Sequence, residues 1–396
     1  MNPTAEIILR RGKEESLLRF HPWIFSGAIQ QVEGDPDEGD LVRVLDSQRN
    51  FIALGHCQVG SIAVRVLSFR DEPINDAWWE SRVRQAYALR QAIGLAENAE
   101  TNCYRLVHGE GDLLPGLIVD IYGHTAVMQA HTVGMYQSRE AIVKALRKLY
   151  GERLTAVFDK SSGTLPYKAG IDARDEYLYG QSSAEPVLEN GNRFRVSWER
   201  GQKTGFFIDQ RENRALVGMY AKGRKVLNTF SYTGGFSVYA LRGGAAGVDS
   251  VDSSQRAVEL AQENVELNFG ADASHRAIAQ DAFEFLKESK KEEYDLIILD
   301  PPAFAKHHKV LGNALKGYQR LNAQAISKIA PGGILFTFSC SQAVTREHFR
   351  NAVFSAAAIA GRNVRILHQL TQPADHPVNI YHPEGEYLKG LVLYVE

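Results

Sequence analysis

Two apolar runs of strand length each end at residues that can do chemistry. Residues 296–299 are followed by Asp300, Pro301 and Pro302, and residues 335–338 are followed by Ser339 and Cys340. The carboxyl ends of parallel strands meet at one edge of a sheet, so we expect the Asp300 carboxylate and the Cys340 thiol to lie side by side there. A thiol placed beside an acid is a candidate for nucleophilic catalysis.

Cys340 suits attack on a pyrimidine base. Carbon 5 of a pyrimidine is a poor nucleophile until a thiolate adds to carbon 6 and makes carbon 5 enolate-like, ready to take a methyl group. A protonated Asp300 would hydrogen-bond the N3 edge of the ring and stabilise the charge that develops there. The alternative for the same position is a buried cysteine that packs as a small hydrophobe.

The segment 230–236 lies where a dinucleotide-binding fold carries its phosphate loop. It contains Phe230, Tyr232 and Gly234, and Asp252 ends the next predicted strand 18 residues after Gly234. An acid at that position can accept hydrogen bonds from ribose hydroxyls. The three-glycine spacing of pyrophosphate loops is absent, which favours S-adenosylmethionine over NAD. A sharp turn with no ligand is the alternative.

Two further positions concern the adenine and the substrate base. Asp281 ends the third predicted strand, where it would accept from the adenine amino group or cap a helix. The prolines after Asp300 forbid helix and remove backbone donors, which makes a rigid corner. Phe304 is a candidate platform for stacking a planar base. Such a corner accompanies amino-group methylation as well as carbon methylation, so it does not identify the modified atom.

Basic residues alternate with aromatic ones near the N-terminus, which is typical of a nucleic-acid surface. The candidate phosphate contacts are Arg10, Arg11, Lys13, Arg19, Lys203 and Lys306. The alternative for the N-terminal set is a solvated basic turn with Trp23 and Phe25 in the core, and for Lys306 a solvated loop.

The elements that must position these residues fall into three groups. Residues 6–70 show short strands between turn signals, which predicts a small β-barrel. A helix and further strands to about residue 190 predict a mixed α/β domain, and 194–198 with 204–208 predict a hairpin. From Lys225 onward strands and helices alternate, which predicts a doubly wound sheet. We therefore predict domains at 1–72, 73–190 and 191–396.

Composition excludes several classes of protein. The 396 residues carry a net charge of −2, so a polyanion partner must be held by a local basic face rather than by a global field. Three widely spaced cysteines argue against a disulfide framework and provide no metal-ligand spacing. No signal peptide or membrane span is visible in the sequence, so we expect a cytoplasmic protein with no membrane partner.

Five segments form an ordered set from one end of the chain to the other. They are HPWIFSG at 21–27, QKTGFFIDQR at 202–211, NTFSYTGGF at 228–236, DPPAF at 300–304 and FSCS at 338–341. The set resembles the RlmI family, bacterial S-adenosylmethionine-dependent methyltransferases that make 5-methylcytosine in large-subunit ribosomal RNA.

The resemblance implies an N-terminal PUA-like RNA-binding barrel, a central α/β domain and a C-terminal Rossmann-like class I methyltransferase domain. It also implies that Cys340 is the nucleophile. The residues it implies around the cofactor are Phe230, Tyr232, Gly234, Asp252, Asp281 and Asp300.

The chain departs from related enzymes at the Asp-Pro-Pro corner. Other RNA cytosine-5 methyltransferases carry a second cysteine there, whereas this chain has Pro301, and Ala303 stands where family members have lysine. A single cysteine must then attack and be released without a thiol partner, which leaves uracil open as the target base.

We predict an RNA cytosine-5 methyltransferase that acts on 23S ribosomal RNA, with a homodimer as a possible assembly. Methylation of uracil carbon 5 or of a base amino group, an NAD-dependent dehydrogenase and a non-catalytic RNA-binding protein are the alternatives.

Overall fold

The computed structural model describes residues 3–166, 170–182, 185–305 and 310–396. The chain forms two compact units, each built from three segments. The first takes Met1–Val187, Ser197–Ile208 and Ala374–Gly385, and the second takes Leu188–Val196, Asp209–Pro373 and Glu386–Glu396. The domains predicted at 1–72 and 73–190 fall within the first unit except for residues 188–190, which belong to the second. The boundaries predicted after residues 72 and 190 stay predictions.

The N-terminal part of the first unit is a mixed sheet with strand order β2-β6-β5-β4-β1-β3. Its interior is aliphatic and includes Ile7, Leu9, Val42, Val44 and Val64, because alternate residues of each strand face one side. Strands β2 and β3 were not predicted. The elements are β1 (Ala5–Leu9), α1 (Glu15–Leu18), β2 (Trp23–Phe25), β3 (Ile29–Glu33), β4 (Leu41–Leu45), β5 (Phe51–Cys57) and β6 (Ile62–Ser68).

The remainder of the first unit is built on a sheet of order β11-β10-β9-β8-β7. Helix α2 begins where the Asn75 side chain accepts from Trp78 N at 3.1 Å, and it buries Trp79, Val83 and Ala86 at helical spacing. The elements are α2 (Asp76–Ala92), β7 (Cys103–His108), β8 (Leu117–Tyr122), β9 (Thr125–Ala130), α3 (Val133–Gln137), α4 (Arg139–Tyr150), β10 (Ala156–Asp159) and β11 (Glu176–Gly180).

The second unit has a sheet of order β16-β15-β14-β17-β18-β20-β19, in which β20 runs antiparallel to both its neighbours. The predicted doubly wound α/β fold is confirmed. The strand pair β12 (Val187–Glu189) and β13 (Asn192–Phe194) precedes the sheet in the chain. The elements that follow are α5 (Arg211–Tyr220), β14 (Lys225–Thr229), α6 (Gly235–Arg242), β15 (Gly247–Asp252), α7 (Gln255–Phe269), β16 (His275–Ala279), α8 (Ala282–Glu288), β17 (Leu296–Leu299), α9 (Leu311–Lys328), β18 (Gly333–Ser339), α10 (Arg346–Ala360), β19 (Val364–Leu370) and β20 (Lys389–Val395).

Both faces of this sheet are buried. Ile297 and Leu335 pack in a cluster with residues of α9 and α10, whereas Ile298 and Phe336 pack in another with residues of α5 and α6. Successive strand residues therefore enter different cores, which explains why the central strands are apolar throughout. The residues that follow the carboxyl ends of these strands include the predicted site residues Asp300 and Cys340.

The predicted hairpin of residues 194–198 and 204–208 is wrong. The strand pair in this region is β12 with β13, and residues 204–208 form no strand. Thr204 Oγ1 instead donates to Asp120 Oδ2 at 2.6 Å, and Lys160 Nζ donates to the carbonyl of Gly201 at 2.6 Å. These side-chain bonds within the first unit replace the strand ladder that the β-forming residues favoured.

No helix in the described part of the chain is long and apolar enough to cross a bilayer.

Candidate functional site

Four chain segments meet at the carboxyl edge of the second unit's sheet. Thr229 at the end of β14 pairs with Val251 on β15 and with Leu299 on β17, and Leu299 pairs with Thr337 on β18, all in parallel register. The residues that follow these pairs therefore lie at one edge of the sheet. The strand order reverses between β14 and β17, so these residues lie on both sides of the reversal. Ligands of doubly wound sheets bind at this point.

The loop after β14 has an unusual backbone. Phe230, Tyr232 and Gly234 adopt left-handed conformations with φ of 55°, 44° and 73°. For the two aromatic residues this conformation costs free energy, and such strain is concentrated at ligand sites. The predicted cofactor loop thus differs from an ordinary strand-to-helix turn.

Asp252 ties this loop to the end of β15. Its Oδ2 accepts from Tyr232 N at 3.0 Å and its Oδ1 accepts from Ser254 N at 2.9 Å. A carboxylate has about four acceptor positions, so each oxygen retains a lone pair for a further donor. The half-buried Asp252 therefore fits the predicted contact with the hydroxyls of a ribose.

Gly234 lies against helix α7 of the same unit. A Cβ at this position would lie 2.9 Å from Ala261 Cβ, closer than side chains pack. Asn264, also on α7, donates from Nδ2 to the carbonyl of Thr233 at 2.9 Å. Gly234 is required for the close approach of the loop to α7, and in this way it shapes the predicted cofactor pocket.

A series of hydrogen-bonded polar side chains connects the strands next to the loop after β14. Asn228 Nδ2 donates to Ser237 Oγ at 2.9 Å, Ser237 Oγ is 2.6 Å from Ser250 Oγ, and Ser250 Oγ is 2.8 Å from His275 Nε2. Burial lowers the pKa of His275 to about 4. The imidazole of His275 is therefore neutral at neutral pH. The hydrogen-bonded series connects β14, α6, β15 and β16.

Asp281 is exposed and caps α8. Its Oδ1 accepts from Phe283 N at 2.9 Å and from Glu284 N at 3.1 Å. The capping role left open by the sequence is present, and the adenine contact stays a prediction. One carboxylate oxygen can cap while the other faces a ligand.

The Asp300 corner follows β17 directly. Asp300 is half-buried, as is Phe304, whose ring centroid lies 4.7 Å from that of Tyr318. The backbone N–H of Ala305 donates to Ser341 Oγ at 3.3 Å, so this corner is joined to the end of β18. The Ser341 hydroxyl therefore connects the segments that follow β17 and β18.

Tyr318 of α9 organises the residues on either side of Cys340. Ser339 Oγ donates to Tyr318 OH at 2.9 Å, and Tyr318 OH is 3.0 Å from Ser341 Oγ. Burial raises the pKa of Tyr318, so it remains a neutral phenol. Cys340 is half-buried and packs partly against the cluster that contains Phe336. It is therefore neither enclosed in hydrocarbon nor fully exposed.

Lys389 lies beside the candidate site, and the sequence patterns did not identify it. It lies opposite Ser339 in the β18–β20 ladder, is 5% exposed, and donates from Nζ to the carbonyl of Ser341 at 2.7 Å. Burial lowers its pKa to about 8. The signal was a single charged residue within the otherwise apolar run 388–395.

The predicted N-terminal RNA contacts are exposed residues of the first unit. Arg11 and Lys13 lie on the surface, Arg10 Nε donates to the carbonyl of Ile29 at 3.1 Å, and Arg19 lies 3.9 Å from Glu15. An open groove with a volume of about 320 Å³ lies beside them. It is lined by Lys13, Ser16, Leu17, Trp23, Ile24, Phe25, Gly27 and Ala28.

The aromatic residues of this region are not simply core residues. Ile24 is buried, but Trp23 is half-buried and Phe25 is 48% exposed. Phe25 is therefore available to a nucleobase.

The remaining RNA candidates lie elsewhere. Lys203 is exposed, with its Nζ 5.2 Å from the ring centroid of Phe207. Lys306 lies outside the described residues.

The chain matches two protein families. Residues 104–381 match the family described as S-adenosylmethionine-dependent methyltransferase, and residues 7–69 match a PUA-like domain. The predicted cofactor and the N-terminal PUA-like domain are thereby confirmed.

Curated relatives match almost the whole chain. The ribosomal RNA large subunit methyltransferase I of Tolumonas auensis is 42% identical over 98% of this chain and 99% of its own length. The protein of the same name from Aeromonas salmonicida is 42% identical over 98% of each chain.

Solved structures share the fold. A Streptococcus mutans protein described as a SAM-dependent methyltransferase superposes with a TM-score of 0.83 at 24% identity, covering 98% of this chain and 100% of its own. A methyltransferase structure complexed with SAH gives 0.84 at 25% identity over the same shares. The protein is therefore a member of the S-adenosylmethionine-dependent methyltransferase family that includes the ribosomal RNA large subunit methyltransferases I.

Proposed function

We propose that this protein methylates carbon 5 of a cytosine in 23S ribosomal RNA through a covalent adduct with Cys340. Relatives that are 42% identical over 98% of the chain carry the name ribosomal RNA large subunit methyltransferase I. Bound S-adenosylmethionine supplies the methyl group as an electrophile on sulfonium sulfur.

The observation that carries the proposal is the position of Cys340 beside the Asp300 corner. Asp300 lies one residue beyond the Leu299–Thr337 pair on β17, and Cys340 lies three residues beyond it on the neighbouring strand. A pyrimidine at this edge meets a thiol and a carboxyl group next to the loop proposed for the cofactor. This arrangement is the one that addition to carbon 6 and methylation at carbon 5 require.

Cys340 and Asp300 have separate tasks in this scheme. The Cys340 thiolate forms an S–C6 bond, and the electron pair of the C5–C6 double bond becomes available at carbon 5 for the methyl group. Asp300 orients the base through its N3 edge. After methyl transfer a base removes the proton from carbon 5, and the S–C6 bond breaks to regenerate the thiolate.

We assign RNA binding to the first unit and to the edge of the second. The PUA-like domain exposes Arg10, Arg11, Lys13 and Arg19. These residues suit phosphate contacts, which position RNA without reading its sequence. Lys203 and Lys306 are proposed to add further phosphate contacts, and Phe304 to contact the target base. Cytoplasmic location and a homodimer stay predictions; sedimentation of the purified protein tests the second.

The test uses Cys340→Ala with Cys57→Ala as the matched control. We expect Cys340→Ala to abolish methyl transfer to RNA while calorimetry shows unchanged S-adenosylmethionine affinity, because the thiol bonds the base and not the cofactor. Cys57→Ala should retain activity. Turnover in Cys340→Ala at the wild-type rate would remove Cys340 from the mechanism.

A second measurement detects the adduct itself. RNA that contains 5-fluorocytosine retains fluorine where the proton must leave, so the S–C6 bond should persist and shift the protein on a denaturing gel. Mass spectrometry of nucleosides from normal product RNA identifies the modified atom. Recovery of 5-methyluridine or an amino-methylated base would replace the cytosine assignment.

A further inference from the structure

Lys389 places a charged group in a buried part of the second unit. It begins β20 opposite Ser339, and only 5% of its surface is exposed. One of its three possible donors is used by the carbonyl of Ser341 at 2.7 Å. A buried ammonium is costly unless a negative partner compensates for its lost hydration.

The groups that act on this ammonium come from several elements. Cys340 follows β18, Arg346 begins α10, and Glu386 precedes β20. Glu386 is already engaged, because Arg346 Nε donates to its Oε1 at 3.0 Å. Tyr318 of α9 faces Cys340 and is a neutral phenol. Among these groups Cys340, when ionised, is the anion that directly precedes Ser341, whose carbonyl accepts from the Lys389 ammonium.

We propose that Lys389 holds Cys340 in the thiolate form as an ammonium–thiolate pair. The inference rests on the proposed function, in which Cys340 is the nucleophile. Starting from the neutral pair, the proton moves from Sγ to Nζ: the S–H bond breaks, an N–H bond forms and sulfur keeps the electron pair. Lys389 acts through Cys340 and is therefore a positioning residue.

Two features make the pair effective. Burial lowers the pKa of Lys389 to about 8, and the negative charge of an ionised Cys340 opposes this fall, so a thiolate compensates for the burial of the ammonium. The bond from Nζ to the Ser341 carbonyl also anchors the ammonium beside the Cys340 backbone. A cation fixed at this place stabilises the thiolate next to the base that it attacks.

The test is the pH profile of Cys340 alkylation in the full-length protein. Iodoacetamide reacts with the thiolate, and peptide mass spectrometry separates Cys340 from Cys57 and Cys103. Lys389→Met should react about tenfold more slowly at pH 7, with its midpoint about one pH unit higher, because a nearby cation is lost. Above that midpoint the two profiles should converge, since the thiol then ionises unaided.

Matched variants separate charge from structure. Lys389→Arg should alkylate within about threefold of wild type because the positive charge is retained. The exposed Lys287→Met should not change the profile. Should Lys389→Met fail to fold, Lys389→Gln takes its place, since it keeps a donor for Ser341 without the charge. A Lys389→Met profile that superposes on wild type, or equal slowing at every pH, overturns the proposal.

Alkylation requires no methyl transfer, so the two proposals fail separately. If Cys340→Ala remains an active methyltransferase while the alkylation profile depends on Lys389, the function assigned to Cys340 fails. If Cys340→Ala is inactive and the alkylation profile does not change in Lys389→Met, only the proposal of the ion pair fails.

Discussion

Two polar, glycine-containing loops in this protein each follow a strand, yet they are held in opposite ways. Asp112, in the turn after β7, pairs with Arg90, and the two side chains are 2% and 0% exposed. Asp252 instead holds the loop after β14 by accepting backbone N–H groups, and it remains half-buried. The first loop belongs to the first unit and the second loop to the second unit.

The difference distinguishes a structural acid from a candidate binding acid. Asp112 accepts from Arg90 Nη1, from Arg90 Nη2 and from His108 N, so its acceptor positions are largely occupied. Asp252 keeps acceptor capacity beside a strained backbone. Both loops contain an acid and glycine. They differ in how many of the acid's hydrogen-bond acceptor positions are already occupied.

The largest expected effect is on the structural loop. Asp112→Asn leaves the buried Arg90 guanidinium without its carboxylate and should lower the free energy of unfolding of the first unit by about 3–5 kcal/mol. All four tryptophans, Trp23, Trp78, Trp79 and Trp198, belong to that unit, so denaturant titration followed by tryptophan fluorescence reports on it. Asp76→Asn, in an exposed pair with Lys144, is the control. A loss below about 1 kcal/mol contradicts the assignment.

An intermediate effect is expected at the candidate binding loop. Asp252→Ala should weaken S-adenosylmethionine binding by about 1–3 kcal/mol, because a charge-assisted hydrogen bond to the ribose is lost. Calorimetry measures this loss, and the exposed Asp272→Ala is the control. Equal affinity in Asp252→Ala and wild type would show that the ribose is bound elsewhere.

The smallest effect is expected at Asp281, which caps a helix and is also a candidate contact for the cofactor. Asp281→Ser keeps a capping oxygen for α8 and removes the carboxylate, so stability should change by less than about 0.5 kcal/mol. Cofactor affinity should still fall by about 0.5–1.5 kcal/mol if the adenine amino group is bound there. Unchanged affinity in Asp281→Ser would reduce Asp281 to a helix cap.

Local patterns predicted much of the second unit. Apolar runs that stop at polar residues located Asp300 and Cys340, and α7 has Ser254 as its N-cap and Gly270 as its C-cap, residue types that are common at helix ends. The single charge of Lys389 in the run 388–395 was visible in the sequence. Its place beside Cys340 was not, because that place depends on the pairing of Lys389 with Ser339, about 50 residues away. The 204–208 segment was predicted as a strand because its residues favour β structure. The prediction is wrong because side-chain bonds to distant residues override that propensity.

The first unit was less predictable at its charged contacts. Trp23 Nε1 donates to Glu110 Oε1 at 2.8 Å across 87 positions of sequence. The sequence around Glu110 does not indicate this partner, because a hydrogen bond between distant residues depends on their proximity in the folded chain.

The first unit draws its last segment, Ala374–Gly385, from near the end of the chain. Arg90 donates to the carbonyl of Asp375 at 2.7 Å, and Arg105 N donates to its Oδ2 at 2.9 Å. A ribosome releases residue 375 only after nearly all the others, so the half of the protein made first cannot finish folding first. A shortened chain ending at Val187 would lack these acceptors and is a poor candidate for independent expression.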